Sequence, residues 1–200
     1  MTHRAKVGPA ELFDVIGAQQ FCVLAGLGLR EHHRLLDVGC GCLRGGRFFI
    51  PYLGRGNYCG LEPDTELLKA GMALEVGPSQ IEEKRPQFYT FHDFRLTSIA
   101  GRFGLFDYVL AQSILSHTGP ALLALVFQEA YGVLVDGGTF AATWFQGDED
   151  ETDEGWYPGR AMRYRDWTVS GLALDAGFSG LKVLDVKHPM GQTWFAVKKG

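Results

Sequence analysis

Apolar positions along this chain fall into two alternating patterns, short runs that stop on turn residues and longer stretches at helical spacing. The short runs predict strands at Arg34–Val38, Tyr58–Glu62, Gln87–His92, Phe106–Ser113 and Thr139–Phe145. Between them, Leu12, Val15, Ile16, Val23 and Leu27 fall near one face of a helix that Pro9 can start. Leu43–Phe49 predicts a second helix, disturbed by Pro51. Asp64 is placed to cap a third, which carries Leu67 and Leu68, and Asp166 to cap one over "WTVSGLALDAG". Leu122, Leu123, Val126, Phe127 and Ala130 predict another after Gly119-Pro120, and "DGG" at Asp136–Gly138 predicts a turn into the fifth strand. Strands that alternate with helices every 30 residues or so imply a mostly parallel sheet covered by helices on both faces. The end of the chain differs. "GFSGLKVLDVKHPMGQTWFAVKK" reads as two strands joined by a short turn through Pro189, Met190 and Gly191, and strands that close must pair antiparallel.

The 200 residues suit one domain, spanning 1–200, with an N-terminal helical segment at 1–33. A formal charge of −4 argues against a broad basic surface for nucleic acid. The longest apolar runs, such as Phe21–Leu29, fall far short of a membrane span, and the first residues lack the apolar core of a secretory signal. The expectation is a cytoplasmic protein with no membrane partner. Cys22, Cys40, Cys42 and Cys59 form no disulfide framework, and Cys40 and Cys42 lack a second Cys/His pair at zinc spacing, so no metal is expected.

Candidate chemistry concentrates in "RLLDVGCGCLRGGRFF", Arg34–Phe49. Gly39 and Gly41 end the first strand at the edge where an open parallel sheet binds ligands, and without Cβ atoms they let backbone approach closely. Glu62 ends the second strand 21 residues after Gly41, where a carboxylate can accept from both hydroxyls of a ribose. The pair points to an adenosine-containing cofactor. A dinucleotide fingerprint would place a third glycine where Arg44 stands. Asp37 is either a partner for a cationic ligand head or a solvated strand-end acid.

With these residues in view, "LLDVGCG", "YCGLEPD", "HDF" and "FDYVLAQSILSH" resemble the motifs of class I S-adenosylmethionine-dependent methyltransferases. The resemblance runs from Arg34 onward and includes "LVDGGTFAAT" and the terminal hairpin. It implies a three-layer Rossmann-like sandwich whose seven-stranded, mostly parallel sheet ends in an antiparallel hairpin. It departs at Leu43, where the family often carries glycine. Position by position it implies that Asp37, Gly39, Cys40 and Gly41 surround the methionine part of S-adenosylmethionine. Glu62 would hold the ribose, with Pro63 turning the chain, and Asp93 and Phe94 would meet the adenine. Gln112 and Ser113 would face the methionine or the substrate, and Gln20 and Phe21 could close over the cofactor. Arg44 is either a partner for the methionine carboxylate or a solvated helix residue.

The implied reaction is direct in-line O- or N-methylation of a small molecule, leaving S-adenosylhomocysteine, by a monomer or homodimer. His117, just beyond the fourth strand, is the candidate base, or else packs against the next helix. The stretch 146–166 reads as a substrate lid. Its acidic run Asp148–Glu154 predicts a solvated loop, and Trp144, Tyr157, Arg160 and Tyr164 are candidates to wall the acceptor pocket. The alternative is a cofactor- or partner-binding module without turnover. A nicotinamide-dependent oxidoreductase is disfavoured by Arg44 and the terminal hairpin.

Overall fold

The computed structural model describes residues 2–200, which form two compact units, 2–92 and 93–200. The first unit opens with 3-10 turns at His3–Val7 and Ala10–Leu12 and continues into α1 (Phe13–Gly26). There follow β1 (Leu35–Val38), α2 (Gly46–Tyr52), β2 (Tyr58–Leu61), α3 (Thr65–Gly71) with a π turn at Met72–Val76, α4 (Pro78–Lys84) and β3 (Gln87–Tyr89). The strands run parallel in the order β3-β2-β1. All four positions of β1 and of β2 are buried, as strands covered on both faces require. Asp64 caps α3 as expected, its Oδ1 accepting from Glu66 N at 3.1 Å and Leu67 N at 2.9 Å. α1 buries Phe13, Ile16, Gln20, Val23 and Leu24, whereas Val15 is 54% exposed and lies off the face that spacing assigned it. α2 begins three residues later than expected, because Leu43 takes the left-handed conformation (φ 62°) and belongs to the preceding turn.

The second unit contains α5 (Thr97–Phe103), β4 (Phe106–Ala111), a 3-10 turn at Leu115–His117, α6 (Pro120–Val133), β5 (Leu134–Gln146), β6 (Arg163–Tyr164), α7 (Asp166–Asp175), β7 (Lys182–Val183) and β8 (Thr193–Lys198). β4 and β5 pair in parallel, then β8 and β7 follow antiparallel, so the expected terminal hairpin is present. Residues 184–192 separate its strands, a longer connection than the short turn anticipated. The two-residue β6 is additional to the seven expected strands and lies parallel to the end of β5, pairing Phe145 with Arg163. The core packs Phe127, Phe140, Phe178 and Phe195 together, with Trp144 5.4 Å from Phe195. No described helix is long and apolar enough to cross a membrane.

Two local expectations change in this unit. β5 starts at Leu134, directly after α6, so "DGG" is a bulge within the strand and not a connecting turn. Pairing slips there from Phe106↔Leu134 to Tyr108↔Thr139, with Gly137 at φ 77°. Asp166 does not cap α7; its carboxylate accepts from Gln146 Nε2, while Asp150 receives Arg165 N at 2.8 Å and Thr168 Oγ1 at 2.7 Å. The acidic run is a largely exposed loop, as expected, with several of its carboxylates engaged. Glu151 and Asp153 each bind Arg160 at 2.5 Å, and Glu154 accepts from Ala121 N at the start of α6 at 3.0 Å.

Candidate functional site

The turn after β1 is built from alternating left-handed residues, Gly39 (φ 70°), Gly41 (φ 56°) and Leu43 (φ 62°). Gly39 N and Cys40 N both donate to Leu61 O, at 2.8 and 3.0 Å, which ties the turn to the end of β2. Glu62 then joins in through its side chain. Its Oε2 accepts from Gly41 N at 3.0 Å and its Oε1 from Asp64 N at 2.8 Å. The glycine turn and the strand-end acid, 21 residues apart, are therefore one hydrogen-bonded piece. Leu43 occupies the position where the resembled family carries glycine, yet it adopts the glycine conformation. That backbone costs on the order of 1 kcal/mol for a leucine, and complete burial of the side chain offsets it.

The electrostatics of this turn are unusual for strand-end acids. Asp37 is buried and accepts from Tyr58 O–H at 2.7 Å. Burial pushes its carboxyl up to about 6, with the Tyr58 hydrogen bond and the Arg44 charge pulling the other way. Burial also raises Glu62, against the pull of its two backbone N–H donors. Cys40 is a buried thiol pushed well up by burial, so it serves as small filler and not as a thiolate. Arg44, also buried, is lowered to about 10 by burial and remains a cation at neutral pH, donating to Val7 O at 2.7 Å.

Val7 closes over the turn, since a Cβ added at Gly41 would meet Val7 Cγ1 at 2.7 Å. The segment carrying Val7 is anchored through Glu75, whose carboxylate pairs with His3 at 2.6 Å and Arg4 at 2.7 Å. Pro63 stands between Glu62 and the capping Asp64. Gln20 is buried against Gly45, and Phe21 belongs to an aromatic cluster with Phe48, Phe49 and Tyr52.

In the second unit, Asp93 is exposed and its Oδ1 accepts from Arg95 N at 3.2 Å, a turn-capping contact. Phe94 has φ 53° and lies 5.7 Å from the Trp156 ring. Gln112 and Ser113 sit at the end of β4, with the Gln112 amide 2.7 Å from Ser113 Oγ. Ser113 is left-handed (φ 58°) and its N–H donates to Thr143 Oγ1 at 2.8 Å.

His117 is half-buried, edge-on to Trp156 at 5.6 Å. Its Nδ1 lies 3.0 Å from both Tyr157 O and Arg160 O, two acceptors that require the proton on Nδ1. Nε2 of the neutral ring then carries the lone pair.

The expected lid is stitched to the segment around His117. Met162 N donates to Ser116 O, Tyr157 N to His117 O and Gly119 N to Gly155 O, all within 2.8–2.9 Å. Tyr164 is buried and its hydroxyl donates to Thr118 O at 2.6 Å, so its polar group ties residues 146–166 to the segment around His117. Trp144 is fully buried against Phe195, in the core. Arg160 is committed to Glu151 and Asp153, and Tyr157 donates its hydroxyl to Glu154 O at 3.0 Å.

Sequence reasoning missed Tyr58, the partner of Asp37, and Thr143, His188 and Gln192, which surround Gln112 and Ser113. Tyr58 sits in a predicted strand with nothing to mark its hydroxyl as engaged. The one available signal for His188 and Gln192 was their position flanking Pro189-Met190-Gly191 in the connection before β8.

A family model described as a methyltransferase domain matches residues 36–140 and so runs through both units. No curated protein matches the sequence. Solved structures share the fold. An O-methyltransferase family protein from Burkholderia thailandensis is 14% identical with a TM-score of 0.68, over 94% of this chain and 57% of that one. This chain thus spans little more than half the length of that protein. The 1,6-didemethyltoxoflavin N1-methyltransferase of the same organism, with 1,6-didemethyltoxoflavin and S-adenosylhomocysteine bound, is 18% identical with a TM-score of 0.69, over 93% and 79%. Magnesium protoporphyrin IX methyltransferase from Synechocystis, with S-adenosylhomocysteine bound, is 13% identical with a TM-score of 0.65, over 95% and 82%.

Proposed function

This chain belongs to the methyltransferase-domain family, and on that premise we propose that it transfers a methyl group from S-adenosylmethionine to an oxygen or nitrogen of a small-molecule acceptor. The observation that carries the reading is the fastening of Glu62 to Gly41 N–H. The turn offers backbone where no side chain fits, and each Glu62 oxygen keeps a lone pair beyond its N–H partner for a ribose hydroxyl. Asp37 is poised for the cationic end, because a positive charge beside a buried acid with a raised pKa ionises it and relieves its desolvation. Arg44 is the buried cation suited to a methionine carboxylate. The family resemblance would add Asp93 and Phe94 for the adenine, and Gln112 and Ser113 for the methionine or the acceptor.

The sulfonium supplies a methyl group already activated for displacement. The protein's share is alignment, exclusion of water and removal of one proton from the acceptor. His117 is the group for that proton, because its Nδ1–H is spent on two carbonyls and Nε2 is the remaining acceptor. Trp156, edge-on to His117, and Phe94 against Trp156 offer flat apolar surface for the acceptor. We take the whole chain as one catalytic domain, cytoplasmic and monomeric or homodimeric. The four free cysteines accord with a reducing compartment.

The deciding measurement is calorimetric titration with S-adenosylhomocysteine, paired with a metabolite screen using donor labelled in its methyl group. Saturable binding and label transfer are expected. Binding without transfer to any acceptor would favour a module without turnover, and the absence of binding would sink the reading.

A further inference from the structure

Residues His3–Val7 bridge the two pieces that Glu62 fastens together, the glycine turn and the cap of α3. Val7 lies over Gly41, and its carbonyl accepts from Arg44 Nη1 at 2.7 Å. Lys6 Nζ donates to Asp64 Oδ2 at 3.2 Å, and Asp64 N is one of the two backbone donors to Glu62. All of these contacts lie within the first unit.

Burial does little to hold this segment. None of its five residues is buried, and its apolar contact is Val7 against Phe13, Cys42 and Leu67. Its anchor is Glu75, a carboxylate whose side chain is 2% exposed. Glu75 Oε1 meets His3 Nε2 at 2.6 Å and Arg4 Nε at 2.7 Å, and Oε2 meets Arg4 Nη2 at 2.8 Å and Arg47 Nη1 at 3.8 Å. The Arg4 guanidinium also lies 4.5 Å over the Phe13 ring. A two-pronged arginine contact to a carboxylate withdrawn from water is strong and directional. Past the other end of the segment, Gly8 takes φ 123° and ψ −169°, a conformation open to glycine and closed to residues with a Cβ. His3–Val7 is thus a short strap with a polar latch at one end and a glycine hinge at the other. An element with so little apolar burial opens at a free energy well below that of global unfolding.

We propose that this strap gates the donor site and that Glu75 is its latch. While the latch is made, Val7 stays on Gly41, and a ligand enters or leaves the turn only when the strap swings out on Gly8. When the latch is broken, the strap opens readily and exchange speeds up. The gate rests on the donor assignment proposed above and adds a step that sets how fast the donor comes and goes.

Two variants undo the latch from opposite sides. Glu75→Gln removes the charge that His3 and Arg4 answer. His3→Ala combined with Arg4→Ala removes those partners and leaves Glu75 to Arg47, so the π turn that carries it keeps an ionic contact. Strap opening is read as trypsin cleavage after Lys6, a site both variants keep, with cleavage after Lys69 in α3 as the control for general loosening. Gating is read as the rate at which labelled S-adenosylhomocysteine is chased from the protein by excess unlabelled ligand. Both variants are expected to raise cleavage after Lys6 and ligand dissociation about ten-fold, with cleavage after Lys69 unchanged.

Unchanged cleavage after Lys6 in the His3/Arg4 variant would overturn the latch. Equal acceleration at Lys69 would reduce the effect to general loosening and overturn latch and gate together. Failure of the parent to bind S-adenosylhomocysteine would overturn the donor assignment and the gate with it. Binding by the parent, with dissociation no faster in variants whose strap is cleaved faster, would overturn the gate alone.

Discussion

The turn after β1 and the end of β4 solve the same problem with opposite electrostatics. Around the turn, Asp37, Glu62 and Arg44 are ionisable groups pulled out of water, and burial displaces the pKa of all three. At the end of β4 the buried groups are neutral amides, hydroxyls and one imidazole, paired with one another. The difference teaches where strain is kept. A buried acid with a raised pKa ionises when a cation comes beside it, whereas a hydrogen-bonded neutral circuit keeps its shape. The first should respond to pH and charge, the second to geometry.

The largest expected effect sharpens the geometric side. His117→Asn supplies an N–H for the two lid carbonyls but no base. Turnover of the acceptor found in the screen should fall by about a hundred-fold or more, with S-adenosylhomocysteine affinity and melting temperature near those of the parent. Full activity would return His117 to packing.

Asp37→Asn tests the electrostatic side. A rise from 3.8 to about 6 disfavours the folded state by about 3 kcal/mol at neutral pH. Below pH 4 the carboxyl is protonated in both states and contributes nothing. Between about 4 and 6 the folded chain keeps a proton that the unfolded chain has lost, so raising the pH destabilises the fold. Above 6 the penalty is complete. The Asn variant, which can still accept from Tyr58, should therefore gain stability over the parent across that window and hold the gain at pH 7 in denaturant titrations. It should also flatten the increase in S-adenosylhomocysteine affinity expected for the parent between pH 5 and 7. A variant no more stable than its parent at pH 7 would break the contrast between the two regions.

Glu62→Ala comes next. It removes an acceptor of two backbone N–H groups as well as the proposed ribose contact, so calorimetry should show affinity weakened by about 1–3 kcal/mol and melting should fall as well. Arg160→Ala is the smallest. Its ion pairs are exposed, so the melting temperature should move by no more than about 2 °C, while proteolysis within 148–160 should accelerate.

The two regions also differ in how legible they were. Asp37, Gly39, Gly41 and Glu62 lie at the ends of adjacent short strands, and their proximity follows from local pattern because a parallel pair brings its carboxyl ends together. Leu43 was the apparent defect in that pattern, and the structure resolves it by giving leucine the conformation glycine would have taken. The acidic run after the fifth strand is the exposed loop that its charge predicts, but its partners were not legible. Charge alone could not reveal that Arg160 answers Glu151 and Asp153, or that Tyr164 spends its hydroxyl on Thr118.

Alternating strands and helices, the terminal antiparallel pair and the glycine–acid turn were all determined by sequence alone, because each depends on residues within one or two neighbouring elements. Tertiary structure decided the partners of the buried polar groups. Tyr58 on Asp37, His188 on Gln112 and two carbonyls on His117 are separated by 21, 76 and about 40 residues. No periodicity encodes such pairs. They arise because a polar atom removed from water must find a partner, and only the folded chain fixes which one is within reach.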